Sequence, residues 1–393
     1  MKNRILFLVL AVLLALSLSV PAMAAQNSDF VIEDGLLKEY IGSGGDVVIP
    51  FGVESIWYDV FENNTSITSV TIPDSVTYIA GGVFSGCANL KSVILPNSVC
   101  EFYEHTSSNG GGLFEDCVSL TEVTIPYGCI NLSDSMFSGC TALTSVTILG
   151  SPEKIPEFMF DGCKSLTNIV IPNSVTEIGV GAFEGCTSLT SVNIPNSVTE
   201  IGGAAFIGCK SLTSITIPNG VSEIGSQAFD GCTSLTSVTI PNSVTIIWSW
   251  AFEDCTSLTS INIPNSVSVI GPEAFQDCTN LTNVTLPKGV KVGYRAFAGT
   301  PYQAKKDSQR NIMIGVLVVA VIAAVVVLVL VLKKKKSAPV AITTVSQARP
   351  TPEAQPGPKQ TEAFKFCPKC GTKVPIDTAY CPKCGNPLES GED

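Results

Sequence analysis

The chain has 393 residues, of which 45% are hydrophobic and only 15% are charged. Average soluble proteins carry about 25% charged residues, so this balance argues against an ordinary cytosolic enzyme and indicates membrane segments. The net charge of −11 is uneven, because residues 25–310 are strongly acidic and residues 311–393 are basic. Nucleic acid is therefore not expected as a ligand of the acidic part, since phosphate binding needs clustered Lys and Arg.

The first 24 residues have the layout of a secretory signal peptide. A basic start with Lys2 and Arg4 precedes an apolar run over residues 5–20, and residues 22–24, Ala-Met-Ala, provide a small-residue cleavage site. An uncleaved N-terminal anchor is the alternative, but the apolar run is short for a membrane span. We expect residues 1–24 to be removed and the chain that follows to be exported.

After an N-terminal cap, residues 25–46, the sequence of residues 47–305 repeats itself. One phenylalanine marks each of eleven repeats: Phe61, Phe84, Phe114, Phe137, Phe160, Phe183, Phe206, Phe229, Phe252, Phe275 and Phe297. Most steps are 23 residues, but one step of 30 holds a seven-residue insertion within residues 101–112, and the last step is 22 residues. A strict period of this length indicates structural units that stack on one another.

The repeat consensus explains why the units would stack. In the unit that begins at Leu189, the pattern is L-x-x-V-x-I-P-x-x-V-x-x-I-G-x-x-A-F-x-G-C, with Ser, Thr and Asn in many of the gaps. One unit cannot bury its apolar set alone, whereas stacked units can. The alternating segment 189–194 predicts a short strand, which ends at Pro195 because proline lacks a backbone donor. Parallel pairing of such strands predicts a β-rich solenoid.

This consensus resembles the BspA-like leucine-rich repeat family over about residues 30–300. The resemblance implies a leucine-rich-repeat solenoid, display at the cell surface, and binding to host or neighbouring-cell components. It names no ligand, because the consensus positions serve packing.

Residues that depart from the consensus are the candidates for ligand binding. Trp248 stands where neighbouring repeats have glycine, Trp250 follows it closely, and Trp57 has the phase of Trp248 in the first repeat. Two interpretations of these side chains stay open: they are exposed on a ligand surface, or they pack over the adjacent coil. The insertion is a second candidate surface, with a tolerated surface loop as the alternative. Its candidate residues are Phe102, Tyr103 and His105.

Two regular surfaces are expected to be solvated. The outward positions of the predicted strands hold mostly Thr and Asn and lack the Trp, Tyr and Arg side chains that dominate binding energy. Glu177, Glu200 and Glu223 recur at one phase. A calcium site needs six or more oxygen ligands, so we interpret these glutamates as a solvated column.

Nine of the 15 cysteines recur three residues after the phenylalanine of their repeat. Disulfides are typical of secreted proteins, yet these nine side chains would point the same way, and a disulfide needs converging Cβ vectors. We interpret them as buried thiols that pack like small hydrophobic groups. Cys100 and Cys129 are off phase and could form one disulfide.

Residues 312–332 contain 21 uncharged residues and predict a transmembrane helix. Lys333–Lys336 follow immediately, and positive charge marks the cytoplasmic side of a span. The repeats are thus expected outside the cytoplasm. Residues 333–364 form a basic, proline-rich cytoplasmic linker.

The last four cysteines form two C-x-x-C pairs, Cys367 with Cys370 and Cys381 with Cys384. Two such knuckles provide a tetrahedral four-thiolate site for Zn²⁺, and thiolates at all four positions make the site structural. The pattern resembles the short zinc-ribbon family over residues 366–388, and we place the domain at residues 365–388. A segment this short cannot fold on a hydrophobic core alone, so zinc would supply its folding energy.

These features predict a single-pass membrane protein that displays a repeat solenoid at the cell surface to bind or adhere to an extracellular protein or glycan. The alternative is a receptor that couples ligand binding outside to a cytoplasmic protein partner through the zinc ribbon. An enzyme is not expected, because the sequence contains no recognisable Ser-His-Asp or paired-carboxylate constellation. A dyad of Cys100 and His105 is conceivable but has no third group.

Overall fold

The computed structural model describes residues 27–99, 101–103, 111–335, 364–366 and 373–375. The chain divides into two units, Met1–Val321 and Ile322–Asp393. The predicted signal peptide, Cys100, His105 and the four predicted zinc ligands lie outside the described residues.

The repeats form a solenoid, as predicted, and the predicted strands build one parallel row, here called row A. Neighbouring strands pair in register, so that Val146 lies opposite Val123. Segment 189–194, which was predicted to be a strand, forms only an isolated bridge in this row, between Asn193 and Val170. The strands of row A are Gly45–Val48, Ile67–Thr71, Ser92–Ile94, Glu122–Ile125, Ser145–Ile148, Ser214–Thr216, Ser237–Thr239, Ser260–Asn262 and Asn283–Thr285.

A second parallel row, row B, follows the proline turn of each coil and was not predicted. Most of its strands have two residues, too few to show an alternating pattern in the sequence. Its strands are Ser55–Ile56, Tyr78–Ala80, Glu101–Tyr103, Lys154–Ile155, Glu177–Ile178, Glu200–Ile201, Glu223–Ile224, Ile246–Ile247, Val269–Ile270 and Lys291–Val292. Most coils therefore have two strand segments around one core.

The repeat phenylalanines form a continuous column of stacked rings in this core. All eleven are buried, and neighbouring ring centroids lie 5.1–5.6 Å apart with planes within 13° of parallel. The spacing follows from the parallel strands, because adjacent strands are about 4.8 Å apart and carry equivalent residues at equivalent positions. The period of the sequence thus becomes a column of aromatic contacts.

The nine repeat cysteines lie beside this column as buried thiols, as interpreted from the sequence. Each Sγ donates to the carbonyl oxygen of the phenylalanine in the preceding coil, as Cys209 does to Phe183 at 3.2 Å. The nine bonds span 2.9–3.3 Å. The thiol is small enough for the tight turn and still satisfies a buried acceptor.

Aromatic residues from non-repeat elements cover both ends of the phenylalanine column. At the N-terminal end, an antiparallel hairpin of Phe30–Glu33 and Leu36–Tyr40 places the Tyr40 ring 4.9 Å from that of Phe61. At the C-terminal end, the Tyr302 ring packs edge-on against Phe297 with centroids 5.3 Å apart. Such caps are required because the terminal coils would otherwise expose their apolar faces.

A helix of 35 residues, Pro301–Lys335, follows the last coil without a break. It begins before the predicted span because Thr300 caps it: the Gln303 backbone N–H donates to the Thr300 hydroxyl at 3.1 Å, and proline suits the first helical position. Apolar side chains of residues 312–329 are exposed. Among the described residues this is the one helix long and apolar enough to cross a membrane.

Candidate ligand surface and zinc ribbon

All three tryptophans are partly exposed, with exposed fractions of 48% for Trp57, 43% for Trp248 and 39% for Trp250. Trp57 lies eight repeats before the other two and packs edge-on against Tyr58, with ring centroids 5.0 Å apart. Trp57 is therefore part of a different surface from Trp248 and Trp250.

Phe102 is a core residue, which corrects its selection as a candidate ligand contact. It lies in a row B strand opposite Ile79 and is 5% exposed, because it takes the inward position that isoleucine holds in other coils. The regular strand continues to Tyr103, so the extra residues of the insertion come after it. A ligand role for Tyr103 and His105 stays a prediction, since the Tyr103 side chain and all of His105 lie outside the described residues.

Trp248 interrupts a row of glycines that hold one position in successive repeats. Gly179, Gly202 and Gly225 hold the equivalent position in the three preceding repeats. A Cβ atom on Gly202 would lie 2.7 Å from the carbonyl carbon of Gly179, and one on Gly225 would lie 2.9 Å from the Gly203 nitrogen. Both distances are shorter than real Cβ contacts, so a side chain at Gly202 or Gly225 would force the adjacent coils to shift. Because these glycines have no side chains, the surface beside them stays open as far as the indole of Trp248.

A cleft of about 530 Å³ occupies this position and is named here the Trp248 cleft. Its indole wall is held in place, because Nε1 of Trp248 donates to a carboxylate oxygen of Glu223 at 2.7 Å. The residues that line it are Thr199, Glu200, Ile201, Gly202, Gly203, Ser222, Glu223, Gly225, Ser226 and Trp248. The cleft thus combines an aromatic ring, two carboxylates, hydroxyl groups and backbone.

The Trp248 cleft is acidic and lacks a compensating charge. Glu200 and Glu223 line it, and no lysine, arginine or histidine does. Neither glutamate is in an ion pair, because the ion pairs of the described residues join Lys38 to Glu33 and Arg295 to Glu273. Glu200 also lies directly across from Glu177 in row B, which brings a third carboxylate close by.

Trp250 occupies a turn and does not line the Trp248 cleft. Its φ of 58° lies in the left-handed region, as do those of Ala204 and Gln227 at the same position of neighbouring repeats. This conformation is set by the turn that all these coils share, since residues as different as alanine and glutamine adopt it. Its role in ligand binding stays a prediction.

The outward side chains of row A are largely exposed threonine and asparagine, including Thr124, Thr147, Thr216 and Asn262. A second cleft of about 470 Å³ interrupts this face, and the exposed side chains of Ile94 and Leu149 contribute to its lining. Among the described residues, no group of three or more His, Cys, Asp or Glu side chains could hold a metal ion.

Two of the predicted zinc ligands lie between the strands of a short hairpin in the second unit, and the other two follow it in the sequence. Strands Phe364–Phe366 and Lys373–Pro375 are antiparallel, with Phe366 opposite Lys373. Cys367 and Cys370 therefore fall in the six-residue connection between paired strands. Four thiolates are a donor set that Zn²⁺ prefers in structural sites. The residues present fit a zinc ion.

Sequence comparison identifies the family of the repeats. The family model described as BspA type leucine rich repeat region matches residues 43–110, 106–213 and 200–306, with six copies. The chain belongs to the BspA-type leucine-rich repeat family. A zinc-ribbon domain model matches residues 366–388. Both of these modules are typically non-enzymatic binding modules.

Solved structures include several proteins similar to this BspA-type chain. A leucine-rich repeat protein from Bacteroides ovatus is 31% identical, with 67% of this chain and 79% of that chain covered and a TM-score of 0.48. A leucine rich cell surface protein from Faecalibacterium prausnitzii is 26% identical, with coverages of 72% and 94% and a TM-score of 0.46. The pneumococcal vaccine antigen PcpA is 18% identical, with coverages of 72% and 89% and a TM-score of 0.47. No curated protein matches the chain.

Within the BspA-type stack, the Trp248 cleft could not be found from the consensus alone. The signal was the replacement of a repeat glycine by Trp248, but the shape of the cleft depends on how closely the backbones of Gly179 and Gly202 approach. That approach is a property of stacked coils. A single repeat sequence does not reveal it.

Proposed function

We propose that this protein is anchored in the cell membrane by its C-terminal helix and uses the repeat solenoid at the cell surface to bind an extracellular protein or glycan. The observation that carries the proposal is the junction between the last coil of the solenoid and the C-terminal helix. Thr300 is buried and caps the helix, and the Tyr302 backbone N–H donates to the Leu281 carbonyl oxygen at 3.1 Å. The first turn of the helix is therefore packed onto the last coil.

The proposed orientation rests on the sequence. A signal peptide over residues 1–24 would export the repeats, and Lys333–Lys336 would stay in the cytoplasm. The cell surface protein from Faecalibacterium prausnitzii supports surface display by resemblance.

Membrane fractionation of cells that express the full chain tests the anchor. We expect the protein to remain in the membrane pellet after a carbonate wash, and the double substitution Ala320→Lys and Val325→Lys to release it. Each lysine at the centre of a span costs about 3 kcal/mol of insertion free energy. Thr216→Lys with Thr239→Lys, on the exposed face of row A, is the matched control and should stay in the pellet. Release of the unsubstituted chain would contradict the anchor.

Surface display is tested separately by protease treatment of intact cells. External protease should remove an epitope tag placed after residue 26 and leave one placed at residue 393 intact. Protection of the N-terminal tag in intact cells, with cleavage after lysis, would contradict the orientation.

The second candidate function is a receptor, favoured by the zinc-ribbon match after the helix. A structural ribbon with no open metal position offers a docking module for a cytoplasmic protein. Deletion of residues 337–393 distinguishes the two functions. Unchanged adhesion with no other phenotype supports a surface adhesin, whereas intact binding with a lost cellular response supports a receptor.

A further inference from the structure

We propose that the Trp248 cleft binds a lysine or arginine side chain of a partner polypeptide. This inference rests on the proposed binding function and names the chemical group that the solenoid would recognise. Three properties of the cleft carry it: two carboxylates without a counter-charge, an immobilised indole, and glycines in the lining.

The carboxylates give the cleft a negative potential, which attracts a positively charged group. Glu177 and Glu200 are paired across adjacent parallel strands, which are about 4.8 Å apart, and Glu223 holds the same position in the next coil. Like charges at this distance repel one another, and such cross-strand pairs destabilise a sheet. Lys154 lies across from Glu177, so the end of the column near Trp248 lacks a basic neighbour in the strand register. A cation bound between Glu200 and Glu223 relieves this repulsion.

The indole provides the second contact for the same cation. Tryptophan is the side chain most favourable for a cation–π interaction, which requires the charge over the ring and within about 6 Å of its centroid. Its hydrogen bond to Glu223 places ring and carboxylate next to each other and uses the one donor of the indole. The carboxylate thus lies beside the nitrogen edge of the ring, where a cation placed over the ring face can contact both groups.

The glycines of the lining favour a long, unbranched side chain. Gly202 and Gly225 contribute no side chain to the lining of the cleft, so the alkyl stem of lysine or arginine can lie along their backbone with its charge at Glu200 and Glu223. A neutral sugar would leave both carboxylates without a counter-charge. The observations therefore favour a cationic polypeptide over a glycan.

Fluorescence anisotropy of a labelled peptide with alternating lysine and serine, measured on the full chain in detergent micelles, tests the proposal. The same peptide with acetylated lysines has equal length and no positive charge. We expect the lysine peptide to bind and the acetylated peptide to bind at least tenfold more weakly. A neutral cello-oligosaccharide serves as the third probe.

Trp248→Gly is the principal variant, because glycine is the residue that neighbouring repeats hold at this position. We expect it, and separately Glu200→Gln with Glu223→Gln, to weaken binding of the lysine peptide about tenfold. Trp57→Ala removes a tryptophan at a distant surface, and Glu39→Gln with Glu122→Gln removes two exposed carboxylates elsewhere. These controls should bind as the unsubstituted chain does.

Equal binding by every variant would overturn the proposal, because it would reflect the general negative charge of the solenoid. Absence of peptide binding, or oligosaccharide binding lost in Trp248→Gly, would also overturn it, the latter in favour of a sugar site. Because these measurements use purified protein, they are independent of cellular location. Failure of surface display with intact peptide binding would contradict the proposed function and leave the cleft assignment standing.

Discussion

The repeat solenoid and the zinc ribbon use the same residue in opposite ways. In the solenoid, cysteine is a buried, protonated group: desolvation raises the pKa of Cys232 to about 12, and its Sγ donates to Phe206 at 3.2 Å. In the ribbon, the proposed zinc ligands must be thiolates, because only the deprotonated form coordinates the metal. Local surroundings, and not cysteine itself, decide between the two chemistries.

The difference reflects how each region obtains its stability. The solenoid repeats one apolar set eleven times and buries it between coils, so it has core enough to fold without metal. The ribbon match covers residues 366–388, a length that cannot exclude water from a core of its own. The two regions should therefore respond independently to changes in metal, packing and pH.

Loss of metal should give the largest effect and should be confined to the ribbon. Zinc binding to small structural sites contributes about 10–16 kcal/mol, so Cys367→Ser with Cys381→Ser should reduce bound zinc from about one per chain to nearly none. Elemental analysis of the purified full chain measures this content. The midpoint of urea unfolding of the solenoid, followed by circular dichroism, should not change.

Lys369→Ser, in the same knuckle, is the matched control and should keep its zinc. Retained zinc in the double cysteine variant would contradict the assignment of these ligands. A lowered unfolding midpoint of the solenoid in that variant would contradict the independence of the two regions.

Removal of one ring from the phenylalanine column should give the next largest effect and should be confined to the solenoid. Phe206 is fully buried and stacks on Phe183 at 5.1 Å and on Phe229 at 5.4 Å. Phe206→Ala should lower the free energy of unfolding by about 3–5 kcal/mol, the usual cost of this truncation in a core. Urea unfolding of the full chain in detergent measures the change, and the zinc content should stay constant.

Thr216→Ala, on the exposed face of row A, serves as the control and should change stability by less than about 0.5 kcal/mol. A similar small change for Phe206→Ala would show that the column is not a principal source of stability.

Much of this fold follows from the repeat sequence, because strict periodicity turns local positions into stacked contacts. The row A strands, the phenylalanine column and the buried cysteines are examples, since each depends on residue type and phase. Row B was missed because its typical strands, such as Glu200–Ile201, are formed by pairing with neighbours and not by a pattern of their own. Phe102 was misassigned because the insertion obscured its phase.

The candidate ligand surface was only partly predictable for a related reason. The sequence singles out Trp248 as a departure from glycine, and the structure leaves its side chain partly exposed. The cleft itself depends on the close approach of neighbouring backbones at Gly202 and Gly225 and on the hydrogen bond between Trp248 and Glu223. These are contacts between different coils, and their geometry appears only when the coils are stacked.

Alkaline pH should give a smaller effect per group and should again separate the two uses of cysteine. Burial raises the pKa values of Cys87, Cys140 and Cys232 from 9.0 to about 12. A folded-state pKa above the unfolded value stabilises the folded state fully below pH 9, and this contribution is lost as the pH rises from 9 toward 12. Each such thiol should lower the free energy of unfolding by about 1 kcal/mol per pH unit in that window.

Cys232→Ala isolates one of these contributions. The variant should lose about 1 kcal/mol at pH 7, because it removes the bond to Phe206 and leaves a small void. Between pH 9 and pH 11 its unfolding free energy should decrease less steeply than that of the unsubstituted chain, and the difference in slope should correspond to the titration of about one group. Urea unfolding at a series of pH values measures both quantities. Identical slopes for the two proteins would mean that Cys232 titrates alike in the folded and unfolded chains, and the contrast between inert core thiols and metal-binding thiolates would fail at this residue.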